Sequence, residues 1–283
     1  MAINQEQIIG MVDRMPTFPA SAHRVIELTN DINCAPRDLV DVIEHDPILT
    51  LKVLKLVNSS FFSLAQEVTS VQHAVVYLGI NTIKNLALSV ATIGALPSTN
   101  SLGFDMTAFW VHSLLTAALA RQIIEKKTTD EVLLSNSFVG GLLHDIGKIV
   151  FLQFLSADYG RCCELAAKEG RSVVALEQEI IGVSHAELGA LVAERWQLPA
   201  SLVAGIRVHH SLDMLDEESH LGNTLVIGNE LSKHAVVEEE IDFLILPSPV
   251  QNWLGADLKT TFNQLSGLPG EIEKAQLFVQ LGS

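Results

Sequence analysis

"GLLHDIGKIV", residues 141–150, places a histidine, an aspartate and a lysine in a segment whose other side chains read as buried helix. Leu142, Leu143, Ile146, Ile149 and Val150 surround His144-Asp145 at helical spacing, and no cap or turn residue accounts for the charges. Taking even a neutral polar group out of water unpaired costs about 2–7 kcal/mol on transfer scales, and an unpaired charge costs more, so the fold must supply a compensating partner. A metal ion is one such partner. The pair is expected in mid-helix, where consecutive side chains point about 100° apart. An ion over the line between them takes a nitrogen from His144 and an oxygen from Asp145.

One dyad cannot fill a coordination shell, so further ligands must come from other helices. His112 lies in "FWVHSLLTAALA", His185 in "GVSHAELGALVAERW", and His209-His210 closes "AGIRVHH", each within an apolar helical pattern. A histidine-rich set with one carboxylate suits a divalent transition metal such as iron, manganese, nickel or zinc, as one or two ions, better than calcium or magnesium. Lys148, one turn beyond His144, either holds a phosphate oxygen beside the metal or carries its charge out to the surface on its long stem. His23, His73, His220 and His234 have no ligand-type neighbour at useful spacing and are read as surface or partly buried residues. His45-Asp46 repeats the dipeptide, but Pro47 follows; Asp46 is read as the cap of a new helix and His45 as the end of the preceding one.

Outward from this centre the whole chain reads as helix, giving an all-α fold. Pro19 and Pro36 suit first-turn positions, Ser70 reads as a cap, and apolar residues recur at helical spacing: Val25 with Leu28, Leu39 with Val42 and Ile43, Leu51 with Leu54 and Val57. Five or six short helices are expected in the first hundred residues. "PSTNSLGFD", 97–105, gathers Pro, Ser, Asn and Gly between two apolar patterns and is read as a linker, which divides the chain into residues 1–100 and 101–283. Helical patterns follow near 107–126, 131–155, 157–169, 172–182, 185–196, 199–209 and 221–235, with closing helices after Val236. "EEEIDFLILPSP" is the one strand-like stretch.

Composition narrows the function classes. The chain has 283 residues, 48% apolar and 18% charged, enough to bury a sizeable core. With 18 basic against 33 acidic residues the net charge is −15; the part through Gly103 has 6 basic and 9 acidic residues, the remainder 12 and 24. Such a field repels phosphate backbones and anionic lipid, so DNA, RNA and membrane surfaces are not expected as partners. The three cysteines, Cys34, Cys162 and Cys163, form neither a CxxC pair nor an even framework, which suits a reducing cytoplasm. "MAINQEQIIG" has no basic signal-peptide region, and runs such as "LALSVATIGAL" fall short of the roughly 20 residues that a bilayer crossing needs.

The order His, His-Asp within GLLHDIGK, His, His-His resembles the HD superfamily of metal-dependent phosphohydrolases, particularly its HD-GYP branch. "MPTFPASAHRVIELTND", "LVDVIEHDPILTLKVLKLVNSSFF" and "SVQHAVVYLGINTIKNLAL" look like the signature of the HDOD family, an HD-related output domain of bacterial signalling proteins. That resemblance implies an N-terminal helical bundle followed by an HD-like bundle. It also implies metal binding by His112, His144, Asp145, His185, His209 and His210, with Lys148 at the family's lysine position after the dyad. Ala108 stands where the enzymes can place a glutamate, Asn229 where the pattern ends in aspartate, and "SLDMLDEESH" where the Gly-Tyr-Pro loop should follow His210. The implied function is therefore a regulatory signalling module with a degenerate, metal-retaining site, acting through a protein or ligand partner and possible as an oligomer. The alternative is an active phosphohydrolase in which Asp145 positions the ions and Lys148 stabilises charge at phosphorus. A third reading leaves the histidines hydrogen-bonded to one another inside the bundle.

"SVQHAVVYLGINTIKNLALSV" superficially resembles a helix-turn-helix DNA reader, but its second helix offers only Lys84 to a phosphate. The expected result in a DNA-binding assay is no sequence-selective affinity. Salt-sensitive, selective binding tighter than about 10⁻⁸ M would contradict it.

Overall fold

The computed structural model describes residues 3–30, 35–59, 62, 64, 66–96, 103–236, 242–265 and 267–282. Most of the expected linker, and Cys34, lie outside these residues. Among the described residues the fold is all-α with no β-strand.

The first third of the chain contributes α1 (Gln5–Arg14), α2 (Ala20–Asn30), α3 (Pro36–Glu44), α4 (Pro47–Val57), α5 (Val71–Leu78) and α6 (Ile80–Ala95). Their starts follow local chemistry. Asp46 accepts from the Leu49 backbone N–H at 3.0 Å with Pro47 in the first turn, His45 closes α3, and Ser70 accepts from the His73 N–H at 3.2 Å. Gly79, with φ of +82°, makes the sharp joint between α5 and α6. Two expectations shift. Pro19 lies one residue before α2, its carbonyl accepting from His23 N–H at 2.9 Å, and Leu51 is 69% exposed. The buried stripe of α4 runs instead through Leu49, Val53, Leu56 and Val57, because the helix packs against α6 through that face.

The remainder contributes α7 (Met106–Glu125), α8 (Glu131–Leu143), α9 (Ile146–Phe154), α10 (Ser156–Glu169), α11 (Val173–Ile180), α12 (His185–Arg195), α13 (Ala200–Val208) and α14 (His220–Val236). Three closing helices follow: α15 (Ser248–Leu254), α16 (Leu258–Asn263) and α17 (Leu268–Gly282). Residues 242–247, from the strand-like stretch, form no strand; 237–241 lie outside the described residues.

Helix α7 is the axle. It is apolar around most of its circumference, so it is covered by α8, α14 and α17 at once. One apolar core runs from Met11 through Leu115 and Phe151 to Val279, and a second, around Leu119, Ile227 and Leu258, joins α7 and α14 to the closing helices. Helix α1 packs on α12, where Arg195 donates to the Asp13 and Met15 carbonyls at 2.7 and 2.9 Å and the Trp196 indole N–H donates to the Pro16 carbonyl at 2.9 Å.

The helix expected over 131–155 is divided. His144 keeps helical torsions, but Asp145 has φ −96° and ψ 9° and stands between α8 and α9. The cause is local: the Gly141 carbonyl, which a continuing helix would use for the Asp145 backbone N–H, accepts from the His144 ring at 2.7 Å. The pair therefore projects from a helix junction, not from mid-helix.

Helix α9 can cross α12 closely only because position 147 is glycine. A Cβ there would run into the His185 carbonyl oxygen and lie 2.9 Å from the Gly189 nitrogen. Gly147→Ala is expected to lower stability by at least the roughly 1–3 kcal/mol typical of overpacking, measured by urea denaturation. An unchanged midpoint would contradict this packing.

Candidate metal centre

Five elements bring the six histidine and aspartate positions together. His112 comes from α7, His144 and Asp145 from the α8–α9 junction, His185 from the first position of α12, and His209 and His210 from the C-terminal end of α13. Two groups share Asp145: Asp145, His185, His209 and His210 in one, His112, His144 and Asp145 in the other, with the candidate donor atoms of each group within 4.8 Å of one another. His144, Asp145, His185 and His209 are almost wholly inaccessible; His112 and His210 are partly open.

The Asp145 carboxylate is the hub. Its Oδ1 faces His185 Nε2 at 3.1 Å and His209 Nε2 at 3.7 Å. Its Oδ2 faces His144 Nε2 at 3.3 Å and His112 Nε2 at 3.7 Å, and takes a hydrogen bond from Lys148 Nζ at 2.6 Å. Lys148 therefore neither snorkels free nor points away from the cluster: it pairs with the carboxylate, with its side chain 21% exposed.

Each of four rings is tethered through Nδ1. His144 and His209 bond the carbonyls of Gly141 and Ile206, three residues earlier, at 2.7 and 2.6 Å; these are helix-terminal carbonyls that lack intrahelical partners. His185 Nδ1 bonds the Glu177 carboxylate at 2.7 and 2.9 Å, and His112 Nδ1 lies 3.0 Å from the Ser232 hydroxyl. Ser232 donates to the Asn229 carbonyl at 2.8 Å, so it is placed to accept from His112. Carbonyl and carboxylate tethers fix the proton on Nδ1 and leave the Nε2 lone pair directed inward.

Those inward atoms have no hydrogen-bond partner. Nε2 of His144, His185 and His209 and Oδ1 of Asp145 are buried, close together and unpaired. Such atoms cost free energy unless something binds them, and three imidazole lone pairs beside a carboxylate oxygen are a donor set for a borderline transition metal. The residues present therefore fit such an ion.

Electrostatics agree. Burial pushes His112 and His209 down to about 3 and holds His210 far below the usual imidazole range, so these rings are neutral near pH 7. Burial opposes ionisation of Asp145, but His144 and Lys148 outweigh it and hold the carboxyl well below its ordinary range. His185 moves the other way: burial and Lys148 lower it, while the nearby Asp145 carboxylate and the Glu177 carboxylate bonded to its Nδ1 raise it overall.

The other histidines stand apart. Trp253 donates its indole N–H to His220 at 2.8 Å, His234 stacks on Phe243 with centroids 3.6 Å apart, His23 faces Glu27 at 3.3 Å, and His73 is exposed. Ala108 is exposed one turn before His112, and Asn229 is buried on α14. Sequence reasoning missed Glu177 and Ser232. The one available signal for Glu177 was a carboxylate on the apolar Val173–Leu176–Ile180 face of α11.

Comparison with known proteins follows the same lines. A crystal structure from Marinobacter aquaeolei VT8, provisionally named a signal transduction protein, matches with a TM-score of 0.79 at 23% identity, covering 98% of this chain and 65% of that one. One from Shewanella amazonensis SB2B, provisionally named a phosphohydrolase, matches with a TM-score of 0.74 at 24% identity over 96% and 97%. An HDOD domain protein of unknown function from Geobacter sulfurreducens gives 0.71 at 22% over 98% and 94%. An uncharacterized protein of Treponema pallidum is 29% identical over 211 residues, 75% of this chain, and the chain spans only 40% of that relative's length. No described helix is long and apolar enough to cross a membrane. The model of the HDOD domain matches residues 15–212, and the chain belongs to the HDOD family.

Proposed function

We propose that this HDOD domain is a regulatory signalling module that holds a divalent transition metal, iron, manganese, nickel or zinc, on His112, His144, Asp145, His185, His209 and His210 and acts by binding a protein partner. The observation that carries the metal is the set of unpaired, inward-facing atoms: Nε2 of His144, His185 and His209 and Oδ1 of Asp145. Were the histidines a self-satisfied hydrogen-bonded cluster, these atoms would be one another's partners.

The two groups predict unequal affinity. The group of Asp145, His185, His209 and His210 offers four donors, whereas that of His112, His144 and Asp145 offers three, so the first ion takes the four-donor group. When bound, the ion supplies fixed positive charge and Lewis acidity beside Asp145. Here α7, α12, α13 and the α8–α9 junction all contribute, so metal binding also braces the bundle.

Regulation is favoured over turnover by three departures from the enzyme pattern: Ala108 has no ligand atom, the Asn229 amide is a weaker ligand than a carboxylate, and "SLDMLDEESH" replaces the substrate loop. Near-complete burial of four of the six positions also restricts access by a substrate. The alternative, a phosphohydrolase, draws on His112 and Lys148, whose side chains are 17% and 21% exposed and give the three-donor group an open side. In that reading Lys148 leaves Asp145 to hold a phosphate oxygen and Asp145 positions the ions. The names of the matched Marinobacter and Shewanella proteins, signal transduction protein and phosphohydrolase, accommodate both readings.

Elemental analysis of protein purified without a metal-affinity column tests the proposal. On the order of one transition-metal ion per chain is expected, falling steeply in Asp145→Ala, with Asn229→Asp tightening uptake. Phosphodiester hydrolysis is expected to stay well below about 1 s⁻¹ in the loaded protein. Metal-free protein that takes up none of the four ions would overturn the metal; hydrolysis at that rate, abolished by His144→Ala, would overturn the regulatory reading.

A further inference from the structure

Helix α11 carries Glu177, eight residues before His185, a carboxylate with no exposed surface. Burying it is expensive, and two contacts compensate it. Its Oε2 accepts the backbone N–H of His185 at 2.9 Å, an otherwise partnerless donor in the first turn of α12, and both oxygens lie within hydrogen-bond reach of His185 Nδ1. Ser184 caps the same turn by accepting from the Glu187 N–H at 3.2 Å, so the segment holding Glu177 against the ring is fixed from both sides.

The ring itself has two options. With the proton on Nε2 it would aim at Asp145 Oδ1, 3.1 Å away, and tie the two groups to each other. Its Nδ1 lone pair would then face two carboxylate oxygens at 2.7 and 2.9 Å, an acceptor against acceptors. With the proton on Nδ1 the ring donates to Glu177, and both Nε2 and Oδ1 stay open, as found. Of the four tethered rings, only His185 has a carboxylate as its Nδ1 partner; the others use a carbonyl or a hydroxyl.

We propose that Glu177 is a positioning residue of the metal centre: it selects the Nδ1–H form of His185, prevents the ring from closing on Asp145, and makes it the most strongly donating imidazole of the four-donor group. This rests on the metal reading above. A carboxylate behind an imidazole raises the basicity of its other nitrogen, and loss of such a partner costs about 10–100-fold in metal affinity. Glu177→Gln is the informative change, because the amide keeps the volume and can still accept the His185 backbone N–H, but presents an NH₂ group to Nδ1 and so favours the competing form.

The test uses the zinc-loaded full chain. Nuclear magnetic resonance of the unaltered protein should give a slowly exchanging, strongly downfield ring proton on His185 Nδ1, with zinc on Nε2. In Glu177→Gln that proton should disappear, and zinc affinity by chelator competition should fall about 10–100-fold. A merely structural glutamate would lower the melting temperature and leave the ring proton and the affinity alone. The spectrum of the unaltered protein needs no variant to fold: zinc on Nδ1, or no hydrogen-bonded proton there, overturns the proposal, as does unchanged affinity in the variant. Failure of the unaltered protein to take up zinc overturns the proposal for His185, and failure to take up any of the four ions removes the metal reading as well.

Discussion

A carboxylate buried among imidazoles is the constraint around which this molecule is arranged. Asp145 sits at 1% exposure with one oxygen toward His185 and His209 and the other toward His144, His112 and Lys148. Its charge cannot be left uncompensated at that depth. Lys148 supplies one hydrogen-bonded positive charge to Oδ2, while Oδ1 has no hydrogen-bond donor. The metal reading follows from that asymmetry: half of the carboxylate is satisfied by the protein, and the other half faces lone pairs.

The backbone gives up regularity to achieve this. Helices α8 and α13 both end on a histidine that turns its Nδ1 onto the carbonyl three residues earlier, using acceptors that a helix end leaves available. The α8–α9 break and the glycine contact of α9 with α12 bring Asp145 and His185 to 3.1 Å. Ring orientation is thus set by helix termini and by two side chains, Glu177 and Ser232. Because α7 is packed on three neighbours and carries His112, the cluster is tied directly into the main core.

Much of this was legible in the sequence. Apolar periodicity, Asp46-Pro47 and Ser70 located helices and caps, since those signals act within one turn of the chain. Charged residues in an apolar segment exposed the His144-Asp145 site, and the other histidines followed from their apolar settings. The helix break was not legible, because it depends on a side chain competing with the backbone for Gly141. Leu51 is as apolar as Leu49, and only the direction of α4 against α6 decides which one is covered. Glu177 contacts His185 across a turn between two helices, and Ser232 reaches His112 over 120 residues. Periodicity within a single element carries no information on either contact.

X-ray absorption at the metal edge of protein loaded with a single equivalent of zinc tests the central claim most directly, since it counts imidazoles without reference to activity. The account predicts multiple-scattering features from His185, His209 and His210 together with one oxygen donor from Asp145. Zinc surrounded by oxygen alone, or a spectrum unaltered by His209→Ala, would contradict it.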